Sequence, residues 1–249
     1  IMPGVVNRFL FVEPHQHLLN YGSLVLHDII ETNKQVGQII RELIGDDANP
    51  EKTKQELTTL QPILFSGIGH GRDDLFSVEC TAPLFETDIS DLNLLKDKII
   101  SLCSCLTANL LGPAIIDAGA IAYTGYKQEF WFYIGDEPNT TKAVQSPFIA
   151  EFQFVASLLR GKTTGEARTD QMAKYDAELN YWLTGDGKDH PNGMELARIL
   201  EMNKSNSVFL GASSAIPSPQ VLIAGIPPSI PFAITFLILG AAIYREVSA

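Results

Sequence analysis

The chain has 249 residues, 45% of them hydrophobic and 19% charged, with a net charge of −11 at pH 7. That size and balance fit one α/β domain with a full core plus an appendage, and they exclude a disordered class. The acidic excess, with no stripe of clustered Lys and Arg, argues against nucleic acid as a partner.

Val5 to Val12 is apolar enough for a strand, limited by Pro14. Leu24 to Leu43 carries Leu26, Ile29, Ile30, Val36, Ile39, Ile40 and Leu43 at helical spacing, which predicts an amphipathic helix. Gly45-Asp46-Asp47 ends it, and Asn49-Pro50 marks a turn. Pro62 to Ser66 is a short apolar run that stops at glycines, so it reads as a buried strand. Phe76 to Cys80 reads as a return strand, and Lys98 to Cys103 as a second buried strand.

Thr107 to Ala118 is predicted as a helix, with Thr107 at its N-cap and Gly119 just past its end. Strands follow at Ala120 to Gly125 and Phe130 to Ile134. Pro147 to Leu159 and Thr164 to Leu183 are predicted helices, and Pro191 opens another to about Leu200. Ser207 to Gly211 reads as the last strand. This alternation implies a mostly parallel sheet with helices on both faces.

The C-terminal segment is of another kind. Val221 to Tyr244 carries no ionisable side chain except its terminal Tyr. Its length, roughly 24 residues, suffices to cross a hydrocarbon core of ~30 Å as a helix. Tyr244 and Arg245 would lie at an interface. The expected organisation is therefore an α/β domain over residues 1–215 and a membrane-anchor segment over 216–249, with one pass. The flanking charge leans towards a domain outside the cytosol. So do two sequons, Asn139-Thr140-Thr141 and Asn203-Lys204-Ser205.

The chemistry concentrates at two strand ends. In Ser66-Gly67-Ile68-Gly69-His70-Gly71, an apolar strand runs into glycines that flank a histidine. Functional residues of parallel sheets gather just beyond the carboxyl ends of the strands. In Ile99 to Gly112, a second apolar strand ends at Ser104-Cys105, and the predicted helix begins at once. A thiol at a helix N-terminus has its pKa lowered, and a nearby imidazole completes the activation of a nucleophile. Cys103 falls inside the strand and reads as core. The three cysteines, Cys80, Cys103 and Cys105, are too few and too oddly placed for a disulfide framework. His15 and His17 form an HxH spacing that chance supplies often, so no metal is assigned, and no cofactor is implied.

The order of an apolar strand, SGxGHG, a linker, an apolar strand, SCLT and LGPAxxxAGAxAYxGY resembles the caspase-like clan of cysteine peptidases. It is most similar to gingipain- and clostripain-type sequences, over Pro62 to Phe132 and onward to about Gly211. The resemblance implies a caspase-like three-layer sandwich and hydrolysis of peptides or proteins. It implies His70 and Cys105 as the catalytic dyad, and the backbone N–H groups of Gly71 and Cys105 as an oxyanion hole. Asp73, Glu129 and Asp136 are candidates for binding a basic substrate side chain, since the clan's specificity loops lie on the same edge.

The sequence departs from the clan's usual Ser-Gly-His-Gly by two extra residues before the histidine, and it carries Ser104 before the cysteine and Leu106 after it. A second expectation therefore stands beside the endopeptidase: a caspase-like domain without turnover, serving as a binding or structural subunit of a membrane complex.

Overall fold

A computed structural model describes residues 7–14, 20–78, 82–88, 90–135, 138 and 141–217, all within the unit Val6–Pro219. Six strands form the main sheet: β1 (Arg8–Glu13), β2 (Ile39–Ile44), β3 (Leu64–Ile68), β7 (Ile99–Cys103), β8 (Ala122–Tyr126) and β9 (Ser207–Gly211). Their order across the sheet is β2-β1-β3-β7-β8-β9. All neighbours are parallel except β8 and β9, which are antiparallel. Three short strands, β4 (His70–Arg72), β5 (Leu75–Ser77) and β6 (Phe85–Glu86), make a separate antiparallel ribbon between β3 and β7 in the chain.

Every residue of β3, β7 and β8 is buried, as the continuous apolar runs of LFSGI and IISLC require of strands covered on both faces. One face carries Phe9, Phe11, Leu64, Ile68, Ile99, Cys103 and Tyr126. It packs under α1 (Asn20–Asn33), α4 (Lys142–Glu151) and α5 (Gln153–Leu159). The other face carries Leu10, Val12, Phe65, Ile100, Leu102 and Tyr123, beneath α2 (Pro50–Thr59), α3 (Leu111–Asp117) and the 3-10 turn Ser90–Leu95. The result is the α/β sandwich of three layers expected from the alternation. Outside it, α6 (Thr164–Leu183) and α7 (Gly193–Asn206) close a smaller core around Tyr175, Trp182, Leu196 and Leu200. A capping box at Thr163 and Glu166 starts α6.

Several boundaries differ from the sequence reading. The helix predicted over Leu24 to Leu43 is two elements: α1 ends at Asn33 and β2 begins at Ile39. Gly37, at φ +90°, sits in the turn between them, a conformation that stops a helix. Ile39, Ile40 and Leu43 belong to an edge strand that is exposed along part of its length, which a helical period mimics over a short run. Asn49-Pro50 is not a bare turn but the start of α2: the Asn49 side chain accepts from Lys52 N–H, and Pro50 takes the first helical position.

The helix predicted from Thr107 begins only at Leu111. Thr107 is fully buried, and its hydroxyl bonds to Ser104 and Tyr123 rather than capping a helix. No regular strand forms over Phe130 to Ile134. The helix predicted over Pro147 to Leu159 is split into α4 and α5 at Phe152, and α4 starts earlier, with Pro147 inside it. The predicted span Val221 to Tyr244 lies outside the described residues. Among the described residues, no helix is long and apolar enough to cross a membrane.

Candidate active site

The strand order reverses at β1, which has β2 on one side and β3 on the other, and ligands of open α/β sheets bind at such reversals beyond the carboxyl ends of the strands. His70 follows β3 at this edge, and Cys105 follows β7, the next strand across. The two strands run parallel with Ile68 opposite Cys103, so each candidate lies two residues past a paired position. One more bond, from Gly69 N–H to the Cys103 carbonyl at 3.2 Å, carries the pairing past the strand end.

Two glycines set the path of the chain beyond β3. A β-carbon at Gly69 would fall 2.2 Å from the Ser77 carbonyl oxygen, so only glycine lets the chain double back into the β4–β5 ribbon. A β-carbon at Gly71 would fall 2.2 Å from the Cys105 carbonyl oxygen and 2.6 Å from the Thr107 methyl. The backbone beside His70 is thus in direct contact with the backbone of Cys105. His70 is exposed and Cys105 half-buried.

Cys105 does not sit at a helix N-terminus, contrary to the sequence expectation. Residues 104–110 form turns, and the N–H groups of Leu110 and Leu111 that open α3 both donate to the Asp73 carbonyl, at 3.1 and 2.8 Å. The thiol's surroundings are therefore local. Burial pushes its pKa up and the Glu129 carboxylate adds to this, while the Phe130 backbone N–H works the other way. The net direction is upward. Leu106, immediately after Cys105, holds φ +61°, a left-handed conformation costly for a branched side chain, and its N–H is tied to the Gln128 carbonyl at 3.1 Å. Cys103 is buried in the core, as expected, with its thiol pushed well up by desolvation.

Among the candidates for substrate contact, Asp73 is exposed, and its carboxylate accepts from the Asn109 side-chain amide at 2.7 Å. Together with its carbonyl at the head of α3, this braces the loop that carries Cys105. Glu129 is exposed, next to Phe130 and within electrostatic reach of the thiol. Asp136 lies outside the described residues, as do Cys80, His15 and His17. Among the described residues, no cluster of three or more His, Cys, Asp or Glu is placed to hold a metal.

The sequence reading missed the supports of this site. Trp131 is 47% exposed beside Phe130, and its backbone is held by the side chain of Asn203 on α7. The signal was present: Leu196, Ile199, Leu200 and Asn203 share one helical face, and an amide there is out of pattern. The second missed feature is Glu151, which ends α4 fully enclosed. It accepts from the hydroxyl of Tyr126 and from Gln171 at 2.8 Å, and burial pushes its pKa up to about 7.

No family model matches the sequence, and no curated protein matches it. Among solved structures, the chain is similar to a secreted C11 cysteine protease from Bacteroides thetaiotaomicron, named iotapain. The identity is 13% and the TM-score 0.38, over 73% of this chain and 71% of that one. That overlap is too loose to carry correspondences between residues, and none is drawn from it.

Proposed function

We propose that this chain is a caspase-like cysteine endopeptidase with His70 and Cys105 as its dyad. The observation that carries the reading is the contact of Gly71 with the Cys105 backbone across strands paired at Ile68 and Cys103. It joins a histidine segment to a cysteine segment at the sheet edge where α/β folds do their chemistry.

In this reading the Cys105 sulfur attacks the scissile carbonyl carbon as its proton passes to the His70 ring. The oxyanion rests on the backbone N–H groups of Gly71 and Cys105. Collapse breaks the C–N bond, and His70 returns the proton to the leaving amine. Water, deprotonated by His70, then attacks the thioester and restores the thiol. Glu129, the acid whose charge acts on the thiol, suits a substrate with a basic residue before the cut; Asp73 and Asp136 are secondary candidates. The resemblance to gingipain- and clostripain-type sequences favours the same preference.

The decisive experiment is labelling with an acyloxymethyl ketone probe under reducing conditions, with the modified residue mapped. Labelling at Cys105 that disappears in His70→Ala supports the enzyme. A folded protein that takes no label sinks it.

A second reading has its own support. Burial and Glu129 both push the Cys105 pKa up, and two extra residues precede His70. These features suit a binding or structural subunit of a membrane complex that kept the fold without turnover. Absence of labelling, with the fold intact, selects it.

Both readings place the chain at a membrane through Val221 to Tyr244, with a single pass and the domain outside the cytosol. Fractionation of the full chain after alkaline carbonate washing tests this. Recovery in the supernatant rejects the anchor.

A further inference from the structure

Residues 127–131, just past β8, run between α7 and the loop of Cys105. On the α7 side, Lys127 N–H donates to the Asn206 carbonyl at 3.0 Å. Trp131 N–H donates to Asn203 Oδ1 at 2.9 Å, and Asn203 Nδ2 donates to the Trp131 carbonyl at 2.7 Å. On the other side, Ala108 N–H donates to the Tyr126 carbonyl at 2.9 Å and Leu106 N–H to that of Gln128. Phe130, between Gln128 and Trp131, lies in this segment, and its N–H acts to lower the Cys105 pKa. The segment is a strut, fastened to a helix at both ends and to the nucleophile loop in the middle.

Asn203 is fully buried on an otherwise apolar face. A primary amide in that position costs free energy unless it is bonded. Here both of its polar ends go to the backbone of a single residue, Trp131. The helix itself gains nothing from this arrangement, since Asn is a poorer helix former than Leu. The consequence falls on the strut.

We propose that Asn203 is a positioning residue for Cys105: by gripping both backbone groups of Trp131, it holds in place the strut whose Gln128 carbonyl fixes Leu106 beside the thiol. The inference rests on the reading of Cys105 as the reactive thiol, but not on peptide turnover. The Phe130 N–H lowers the Cys105 pKa, so the strut that carries it favours the thiolate. It works against Glu129 and the burial of the site; Cys103 is the last residue of β7 and His70 the first of β4.

The test is the pH profile of Cys105 alkylation by iodoacetamide in the full chain, followed by mass spectrometry of the modified peptide. Asn203→Leu keeps the volume and removes both bonds. Its profile is expected to move up by about half a pH unit or more, which slows alkylation near neutral pH about threefold. Asn203→Asp keeps the oxygen that accepts from Trp131 and shifts the profile in the same direction. Glu201→Gln, exposed on the same helix, leaves it in place.

A folded Asn203→Leu protein with the wild-type profile overturns the proposal. Failure of both Asn203 variants to fold also overturns it, because the residue then serves the fold and not the thiol. Peptidase activity is scored separately. A shifted profile in a chain without turnover sustains the role of Asn203 and rejects the enzyme.

Discussion

Gly71 and Cys105 touch backbone to backbone: the space where a β-carbon would stand on Gly71 is taken by the Cys105 carbonyl oxygen, 2.2 Å away. Neither residue is near the other in sequence. The contact exists because β3 and β7 are neighbours in the sheet and the ribbon after β3 folds back across their ends. It is the physical link between the histidine and the cysteine segments.

Gly71→Ala is therefore expected to move the Cys105 loop. Its new methyl meets main-chain atoms and the Thr107 methyl, which yield only by displacement. Overpacking of this kind costs roughly 1–3 kcal/mol. A lowered thermal midpoint with a retained circular dichroism spectrum, together with a loss of Cys105 labelling, is the outcome expected. Unchanged labelling would remove the contact from the mechanism.

Glu129→Gln should act on the thiol in the direction opposite to Asn203→Leu. The carboxylate raises the Cys105 pKa, so its neutral amide lets the iodoacetamide profile fall to lower pH. If the chain cleaves peptides, the same variant lowers kcat/KM for substrates with a basic residue before the cut more than for neutral ones. Equal losses on both would take Glu129 out of substrate selection.

Stability should decline as pH rises through neutrality, and the sign follows from two buried carboxyls. Glu151 is pushed from 4.5 to about 7 and Glu13 from 4.5 to about 8, both chiefly by burial. Between 4.5 and those values the folded chain holds protons that the unfolded chain has released. Stability is then lost as pH rises through each window, and the loss is complete above it. For Glu151 the loss is on the order of 3 kcal/mol. Glu178 and Asp170 are shifted downward and act at lower pH. Thermal midpoints of wild type and Glu151→Gln, compared from pH 5 to 8.5, should converge at the acid end and part at the alkaline end, with the variant the more stable there. Parallel curves would mean that Glu151 is ionised throughout.

Thr107 tests the floor of the site. Its buried hydroxyl accepts from the Tyr123 hydroxyl at 2.9 Å and lies 3.1 Å from that of Ser104. Thr107→Val keeps the shape and strands the Tyr123 hydroxyl, at a cost of about 1–3 kcal/mol. Tyr123→Phe leaves Thr107 with Ser104 and costs about 1 kcal/mol. Urea denaturation of both and of the double variant should show a double loss smaller than the sum, because they share one bond.

The parts of this fold that the sequence disclosed are those where burial alone decides conformation. LFSGI and IISLC are apolar apart from the buried Ser66 and Ser101 because both faces are covered, and the order of helices after residue 140 reflects their apolar period. Elements that stayed hidden depend on partners distant in the chain. Residues 39–44 have a helical period but become an edge strand once β1 offers its backbone. Thr107 looks like an N-cap until Tyr123 and Ser104 claim its hydroxyl. At the site, the strand ends and their His and Cys were legible from the glycines and the apolar runs. The electrostatics of Cys105 were not, because the helix expected at the thiol starts at Leu111 and the groups that replace its dipole, Phe130 N–H and Glu129, come from beyond β8. Asn203 was readable as an exception to its helix face, though not as a support for a loop nearly a hundred positions earlier.

Helix α7 passes into β9 without a connecting loop: Asn206 ends the one and Ser207 begins the other. The brace of Cys105 and the edge of the sheet are thus a single run of chain. During synthesis His70 and Cys105 emerge early, while the run that carries Asn203 emerges last among the described elements. A chain interrupted before Gly193 would carry His70 and Cys105 but neither Asn203 nor the antiparallel edge. Under the role proposed for Asn203, the setting of the Cys105 loop is completed only when the last described elements fold.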